Sequence, residues 1–469
     1  MKKKSIFPFL LLFGLLIFSC DQRPFNDNRE TADILIENGT VITMDSNRAI
    51  LEAGTIAIRD GLIIAVGLTD ALRAKIKSKE IIDAKGKLVM PGLINTHTHA
   101  AMTIFRGLAD DVGLQEWLEN HIWPAEAKYI DAETVRLGTF LAIAEMIRSG
   151  TTAFNDMYFF EDEVAKAAKK AGIRAMVGEV LLHFPTPNCR TPQEGLDYTE
   201  MLIKKWRNDR LITVAVAPHA PYTCPPEILR QAKNLSDKYH VPFHIHLSET
   251  KSEVDNIRRT YGLTPVEYLD SLGILDDNVI AAHCVQLTKK EIQLIARRKT
   301  GVAHDPESNM KLASGVAPIP DFFIAGGKVG LGTDGAASNN NLNIFEEMNT
   351  AAKLHKVFKH DPTVMNAQSV VEMATIGGAR VLGLEGRIGS IEVGKRGDII
   401  VINLNKPHLV PIYNLYSLIV YAMAAADVET VIIEGRIVMR NHRILTFNEE
   451  EIMQKMRALA SRIKEERKN

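Results

Sequence analysis

Apolar positions change their spacing along the chain. From residue 32 to about residue 87, short β-branched runs alternate with polar breaks: Ile34-Leu35-Ile36, Val41-Ile42-Thr43, Thr55-Ile56-Ala57-Ile58 and Leu62-Ile63-Ile64-Ala65-Val66. The breaks include Asn38-Gly39 and Asp60-Gly61, dipeptides whose tolerance of positive φ favours hairpin turns. From about residue 89 to residue 385 the period switches back and forth. Helical patterns over 131–149 and 161–171 precede strand-like Thr151-Thr152-Ala153-Phe154 and Arg174-Ala175-Met176-Val177-Gly178, and further apolar runs fall at 212–217, 242–247, 279–283, 300–304 and 329–332. Repeated β-α units over roughly 300 residues suit an eight-stranded parallel barrel of the TIM type, which keeps its chemistry at the C-terminal ends of its strands.

Past the barrel the β pattern returns in Asp398-Ile399-Ile400-Val401-Ile402 and in the run 428–438, and a Glu/Lys/Arg-rich helical pattern follows Asn448. A small sheet cannot bury both its faces alone, so the two terminal β-rich parts are expected to join into one discontinuous sandwich. The expected fold class is α/β: a (β/α)8 barrel with a small β-sandwich built from both chain ends. The expected divisions are a leader at 1–19, a tether at 20–31, sandwich strands at 32–88, the barrel at 89–385, returning sandwich strands at 386–445 and a closing helix at 446–469.

Composition narrows the partners. The chain has 469 residues, 46% of them hydrophobic, and a formal net charge of −1 with both signs interspersed, so no basic stripe of the kind a nucleic-acid binder needs is present. The N-terminus stands apart: Lys2, Lys3 and Lys4 precede an apolar stretch over 6–18, too short to span a bilayer and built like an export signal. Ile17-Phe18-Ser19-Cys20 resembles a bacterial lipobox, which implies a lipid anchor on Cys20 and an exported, membrane-anchored protein; plain secretion and an uncleaved anchor are the alternatives. Cys189, Cys224 and Cys284 then remain, and an odd number in no Cys-x-x-Cys spacing argues against a disulfide framework.

The candidate chemistry collects at predicted strand ends. Leu93-Ile94-Asn95-Thr96-His97-Thr98-His99 delivers two imidazoles to one face of one strand tip, since residues two apart point the same way. Alone, His-x-His fits a polar strand end equally well. Phe243-His244-Ile245-His246-Leu247-Ser248-Glu249 adds His246 near a second tip with Glu249 just past it; His244, one layer deeper, suits a supporting role better than ligation. Ala281-Ala282-His283-Cys284 and Gly332-Thr333-Asp334-Gly335 end two later strands. His97, His99, His246, His283 and Asp334 thus converge on one rim, with Glu249 free for proton transfer. A divalent ion held by three or four such groups with one open position lowers the pKa of its water toward ~7. Asp334 could then accept the water's proton while Glu249 protonates a ring nitrogen and the leaving group.

His97-Thr98-His99, His246-Leu247-Ser248-Glu249-Thr250, His283 and Thr333-Asp334-Gly335 resemble the deaminase and chlorohydrolase branch of the amidohydrolase superfamily. Ser308-Asn309-Met310-Lys311-Leu312-Ala313-Ser314-Gly315 and Asp334-Gly335-Ala336-Ala337-Ser338-Asn339-Asn340 are most similar to its 5-methylthioadenosine/S-adenosylhomocysteine deaminases. The resemblance implies one divalent ion, zinc with ferrous iron as the alternative, on His97, His99, His246 and Asp334. It makes Glu249 the proton shuttle and His283 the group that orients and polarises the attacking hydroxide, and relatives suggest a homo-oligomer.

On the substrate side the resemblance places Trp117 as an apolar wall, Glu126 as a carboxylate for the ribose hydroxyls and His219 as a contact to the base. Arg190 is a candidate partner for a homocysteine carboxylate, with an ordinary surface role as the alternative. His304-Asp305-Pro306 carries Asp where the family usually shows Asn, a departure expected at the pocket rim. The implied activity is hydrolytic deamination of an adenine nucleoside or thioether. The alternatives are an s-triazine chlorohydrolase or aminohydrolase, a deaminase of guanine or another base, and a non-catalytic lipid-anchored binding protein. Retention of Glu249 favours an amino leaving group, which needs a proton, over chloride, which does not. Zinc deaminases that use Pro-Cys-x-x-Cys are a different design, and that motif is absent.

Overall fold

The computed structural model describes Met1 and residues 29–467. The leader, Cys20 and most of the tether, and with them the expected lipid anchor, lie outside the described residues. The first strand, Glu30–Ile42, begins within the span expected as tether.

That strand passes straight through Asn38-Gly39, where a hairpin turn is expected. It pairs antiparallel with Ile50–Arg59 on one edge, and on the other takes Ile76–Asp83 and then Lys87–Pro91, both parallel. Asn38 has φ 64° and the register slips between Ile36 and Gly39, so the dipeptide forms a bulge. A Cβ at Gly39 would lie 2.6 Å from Val89 Cγ2, which leaves room for no larger residue. Positive-φ dipeptides serve turn or bulge alike, and here a partner strand on each side decides. Asp60-Gly61, with φ 52° and 79°, does close the next hairpin onto Leu62–Leu68.

Lys87–Pro91 also pairs antiparallel with Ile399–Asn403, which continues through Val428–Ile433 and Arg436–Arg440 to Arg443–Ile444. Both chain ends therefore share one continuous nine-stranded sheet. Ile34, Ile56, Ile58 and Val89 from one end share a buried cluster with Ile399, Val401 and Ile432 from the other. The run 428–438 is a hairpin, divided by Glu434 and Gly435 at φ 51° and 69°.

The middle of the chain is the barrel. Its eight parallel strands are Leu93–Thr98, Thr151–Tyr158, Arg174–Leu181, a fourth broken into Ile212–Val214 and Ala217–Pro218, then Phe243–Leu247, Val279–His283, Gly301–His304 and Lys328–Leu331. The fourth and fifth strands meet where the Val216 carbonyl accepts from His244 N. The ring closes where the His97 carbonyl accepts from both Thr333 N, at 3.1 Å, and Asp334 N, at 3.0 Å. A Cβ at Gly332 would sit 2.9 Å from His97 N and 2.3 Å from Asp305 Oδ1, so glycine permits this closure.

The terminal sheet caps the N-terminal end of the strands. Arg174, the first residue of the third strand, is buried and forks onto Asp398 Oδ2 at 2.9 Å and Oδ1 at 3.2 Å, with Glu434 Oε2 at 2.8 Å. The C-terminal helix Glu449–Glu466 lies on Ala132–Arg148, held in part by Arg148 and Glu449. Both attachments leave the opposite mouth of the barrel open for chemistry. Cys189, Cys224 and Cys284 are buried and free.

Candidate metal centre and substrate cavity

Four side chains form the floor of this mouth. The ligand-type nitrogens of His97, His99 and His246 all lie within 4.8 Å of one another. Asp334 Oδ1 is 3.5 Å from His97 Nε2 and 3.2 Å from His99 Nε2, and His246 Nε2 is 3.3 Å from His99 Nε2. The other ring nitrogens are engaged outward. His99 Nδ1 donates to the Met157 carbonyl and His246 Nδ1 to the His219 carbonyl at 2.7 Å, while His97 Nδ1 meets His244 Nε2 at 3.0 Å. Each ring is thereby turned so that Nε2 faces the centre. Asp334 sits at φ 56°; its Oδ2 accepts from Ser308 Oγ at 2.6 Å and Ser338 Oγ at 2.8 Å.

Burial and neighbouring imidazoles decide protonation. Desolvation pushes His97 down to about 3 and His246 well below its ordinary value, so both are neutral. For Asp334 burial works upward, but the His97 and His99 imidazoles beside it outweigh that and hold the carboxyl well below the usual carboxylate range.

Glu249 and His283 flank the floor. Ser248, at φ 51°, turns the fifth strand so that Glu249 faces in, and Ser314 Oγ donates to its Oε1 at 3.1 Å. Burial raises the Glu249 pKa, against the pull of His283. His283, at φ 70°, lies with Nε2 3.8 Å from Glu249 Oε2 and donates Nδ1–H to Asn309 Oδ1 at 3.0 Å. Asp305 is not at the rim. It is fully buried against His283, its Oδ2 accepting from His283 N at 3.2 Å, and it does not line the cavity.

One cavity joins these groups to the substrate-side candidates. Its lining includes His99, His246, Glu249, His283 and Asp334, together with Trp117, Glu126 and His219. Trp117 is buried and its Nε1 donates to the Ala109 carbonyl at 3.2 Å. Glu126 Oε1 accepts from Tyr158 OH at 2.7 Å, and burial raises its pKa to about 7. His219 Nδ1 is 2.9 Å from Thr223 Oγ1, which anchors the ring. Arg190 is not brought in: it is exposed just before the helix Pro192–Trp206, its backbone N donating to Glu194 Oε2 at 2.7 Å, and it does not line the cavity.

The family model for the amidohydrolase family matches residues 88–438. The chain belongs to this family. This amidohydrolase is 51% identical over 92% of its length to the 5-methylthioadenosine/S-adenosylhomocysteine deaminase of Syntrophobacter fumaroxidans, covering 99% of that protein. It is 44% identical over 92% of its length to the 5'-deoxyadenosine deaminase of Methanosarcina acetivorans, covering 98% of it. Among solved structures it superposes on an adenosine deaminase from Xanthomonas campestris with bound zinc at a TM-score of 0.92, with 40% identity, covering 93% of this chain and 99% of that one.

The floor of the amidohydrolase fits a divalent transition-metal ion. His97 Nε2 is buried and has no hydrogen-bond partner, although it points at two other imidazoles and a carboxylate. Imidazoles together with one ionised carboxylate are the donor set such an ion prefers. Several supporting residues are not legible as such in the sequence. Tyr158 holds Glu126, Ser314 holds Glu249, Asn309 holds His283, and Ser308 and Ser338 hold Asp334. All but Tyr158 fall within 308–315 and 334–340, the two segments most similar to the deaminases, and that similarity is the signal that marks them. Tyr158 carries no such signal, because only folding brings it to Glu126.

Proposed function

We propose that this amidohydrolase is a hydrolytic deaminase of adenine nucleosides and thioethers, the class that contains 5-methylthioadenosine, S-adenosylhomocysteine and adenosine. Water replaces the amino group on the six-membered ring, giving the inosine-type product and ammonia. The observation that carries the reading is that His99, His246 and Asp334, clustered with the buried His97, line a single cavity with Glu249 and His283 at one end and Trp117, Glu126 and His219 along its walls. The names of the relatives support the same class.

His97, His99, His246 and Asp334 would hold zinc, which when bound supplies the Lewis acidity that makes water nucleophilic at neutral pH. Asp334, ionised, takes the proton that the attacking water gives up. Glu249, whose burial favours the protonated form, protonates the ring nitrogen beside the reacting carbon and then serves the departing amine. His283, backed by Asn309 and Asp305, orients the attacking water against the ring. Glu126 accepts from the ribose diol, Trp117 covers the apolar face and His219 meets the base. Ammonia release from the zinc-loaded protein on adenosine, methylthioadenosine and S-adenosylhomocysteine tests the reading. Turnover of at least one supports it; no turnover of any, with metal bound, refutes it.

We further propose that the protein is exported and anchored by lipid on Cys20, facing scavenged extracytoplasmic nucleosides. The support is the order Lys2-Lys3-Lys4, apolar stretch, Ser19-Cys20. Phase partition in detergent tests it: the mature chain enters the detergent phase without residues 1–19, and an aqueous chain that keeps them rejects the proposal.

A further inference from the structure

Four helices of the barrel start on the same pattern, a Thr N-cap followed three residues later by Glu: Thr191 with Glu194, Thr250 with Glu253, Thr264 with Glu267 and Thr288 with Glu291. In each, the Thr hydroxyl accepts from the backbone N of the Glu. In an ordinary capping box the carboxylate then reaches back to the N–H of the cap residue itself. Glu267 and Glu291 do so, at 3.0 and 2.7 Å, and Glu194 reaches one residue further, to Arg190 N. Glu253 differs. Its Oε1 accepts from Ser248 N at 2.9 Å and its Oε2 from Glu249 N at 2.8 Å, so both oxygens are spent on the two residues before the cap.

Those two amides belong to the turn that aims the proton shuttle. Ser248 holds φ 51°, a left-handed conformation that a residue with a side chain keeps only when its surroundings impose it. Ser248 and Glu249 are both buried, and a buried N–H without an acceptor is costly. The Ser248 carbonyl, in turn, accepts from Val285 N at 3.1 Å and Gln286 N at 2.8 Å. Gln286 Nε2 donates to the Ser314 carbonyl at 2.6 Å, and the Ser314 hydroxyl is the donor to Glu249 Oε1. The turn is thus gripped on its amides by Glu253 and on its carbonyl by the segment after the sixth strand, while Glu249 itself lines the cavity. Glu253 is buried and does not line that cavity.

Resting on the deaminase reading, we propose that Glu253 is a positioning residue for the proton shuttle: its carboxylate, holding the Ser248 and Glu249 amides from outside the cavity, fixes the Glu249 carboxyl within hydrogen-bond reach of the substrate ring. A carboxylate is required, since an amide in its place offers an acceptor to one N–H and its own N–H to the other.

The test is steady-state kinetics and zinc analysis of Glu253→Gln, a change that keeps the shape, on whichever of adenosine and methylthioadenosine the zinc-loaded wild type turns over. The expected kcat is about a hundredfold lower, the scale of a reacting group displaced by about 1 Å, with KM within about threefold of wild type and zinc undiminished. In a Glu249→Gln background the same change is expected to cost less than about threefold, because the group it positions is already gone. Glu267→Gln, which breaks the same pattern away from the cavity, is expected to leave kcat unaltered and reports what a weakened cap does by itself. A kcat for Glu253→Gln within about threefold of wild type overturns the proposal, and so does a loss of about a hundredfold in the Glu249→Gln background, which would place the role of Glu253 elsewhere. If Glu253→Gln fails to fold or to bind zinc, Glu253→Asp decides, its carboxylate kept but withdrawn by one methylene. A selective fall in kcat there supports the proposal; an unchanged kcat, or loss of fold or zinc in this variant too, overturns it. A wild-type enzyme that holds zinc and turns over no nucleoside refutes the deaminase reading and this proposal with it, an outcome set apart because the wild type itself is silent.

Discussion

The two ends of the cavity are held in different ways. At the reacting end the polar side chains are fixed by further polar groups, most of them on another strand or strand-end loop: His97 by His244, His283 by Asn309, Asp334 by Ser308 and by Ser338 of its own loop. At the far end one helical segment supplies much of the wall, most of it apolar, with Glu126 held by Tyr158 and Trp117 by the Ala109 carbonyl. Chemistry therefore belongs to the barrel, where positions cannot drift, and selection to a single segment laid over its mouth. Substitutions at the first end should abolish turnover, and those at the second should redistribute it among substrates.

The largest effect is expected at Asp334. Asp334→Ala removes a ligand and the proton acceptor together, so zinc content falls and kcat drops at least on the order of 10⁴-fold, the scale of losing a member of a unit that acts jointly. Metal analysis beside the rate checks it; full zinc with undiminished kcat would contradict the assignment. Glu249→Gln separates the two roles. It keeps the shape and the metal site but has no proton to give, so zinc stays bound while deamination falls about 10³-fold. His244→Phe touches neither substrate nor ion. It leaves His97 Nδ1 without its partner, and the expected outcome is a zinc affinity about 10–100-fold weaker, with much of kcat recovered at saturating zinc.

How legible these two ends are in the sequence follows from the same contrast. His97, His99, His246, His283 and Asp334 each close an apolar run of barrel type, so period and spacing alone place them on one rim. The Asn38-Gly39 bulge looks like a turn in sequence because a dipeptide cannot show that strands lie on both its edges. Asp305, expected near the rim, is buried against His283 instead of lining the cavity, because which way a side chain just past a strand end turns depends on its neighbours in the barrel and not on the motif that carries it. At the far end Trp117 and Glu126 need the family resemblance, since a helical segment with irregular turns has no period that announces which face meets the cavity. Arg190 shows the weakness of a lone charge as a signal, because surface exposure explains it as well as any ligand does.

The smallest effect expected is also the most direct probe of the far end. Glu126 is buried, and burial raises its pKa to about 7, so the carboxyl is ionised above that value and neutral below it. Tyr158 already occupies Oε1, and a ribose diol therefore depends on acceptor capacity that protonation removes. KM for adenosine should accordingly rise as pH falls through about 7, levelling off about tenfold higher. Glu126→Gln should sit at that higher KM at every pH, because its amide mimics the neutral acid and does not titrate. The Glu249 proton shuttle titrates as well, but it acts on the ring and so moves kcat for every substrate alike. A 2′,3′-dideoxy nucleoside separates the two groups: lacking the diol, it should show a flat KM in wild type and variant. A KM that climbs with acidity for the dideoxy nucleoside too would place the titrating group at the reacting end and remove Glu126 from ribose recognition.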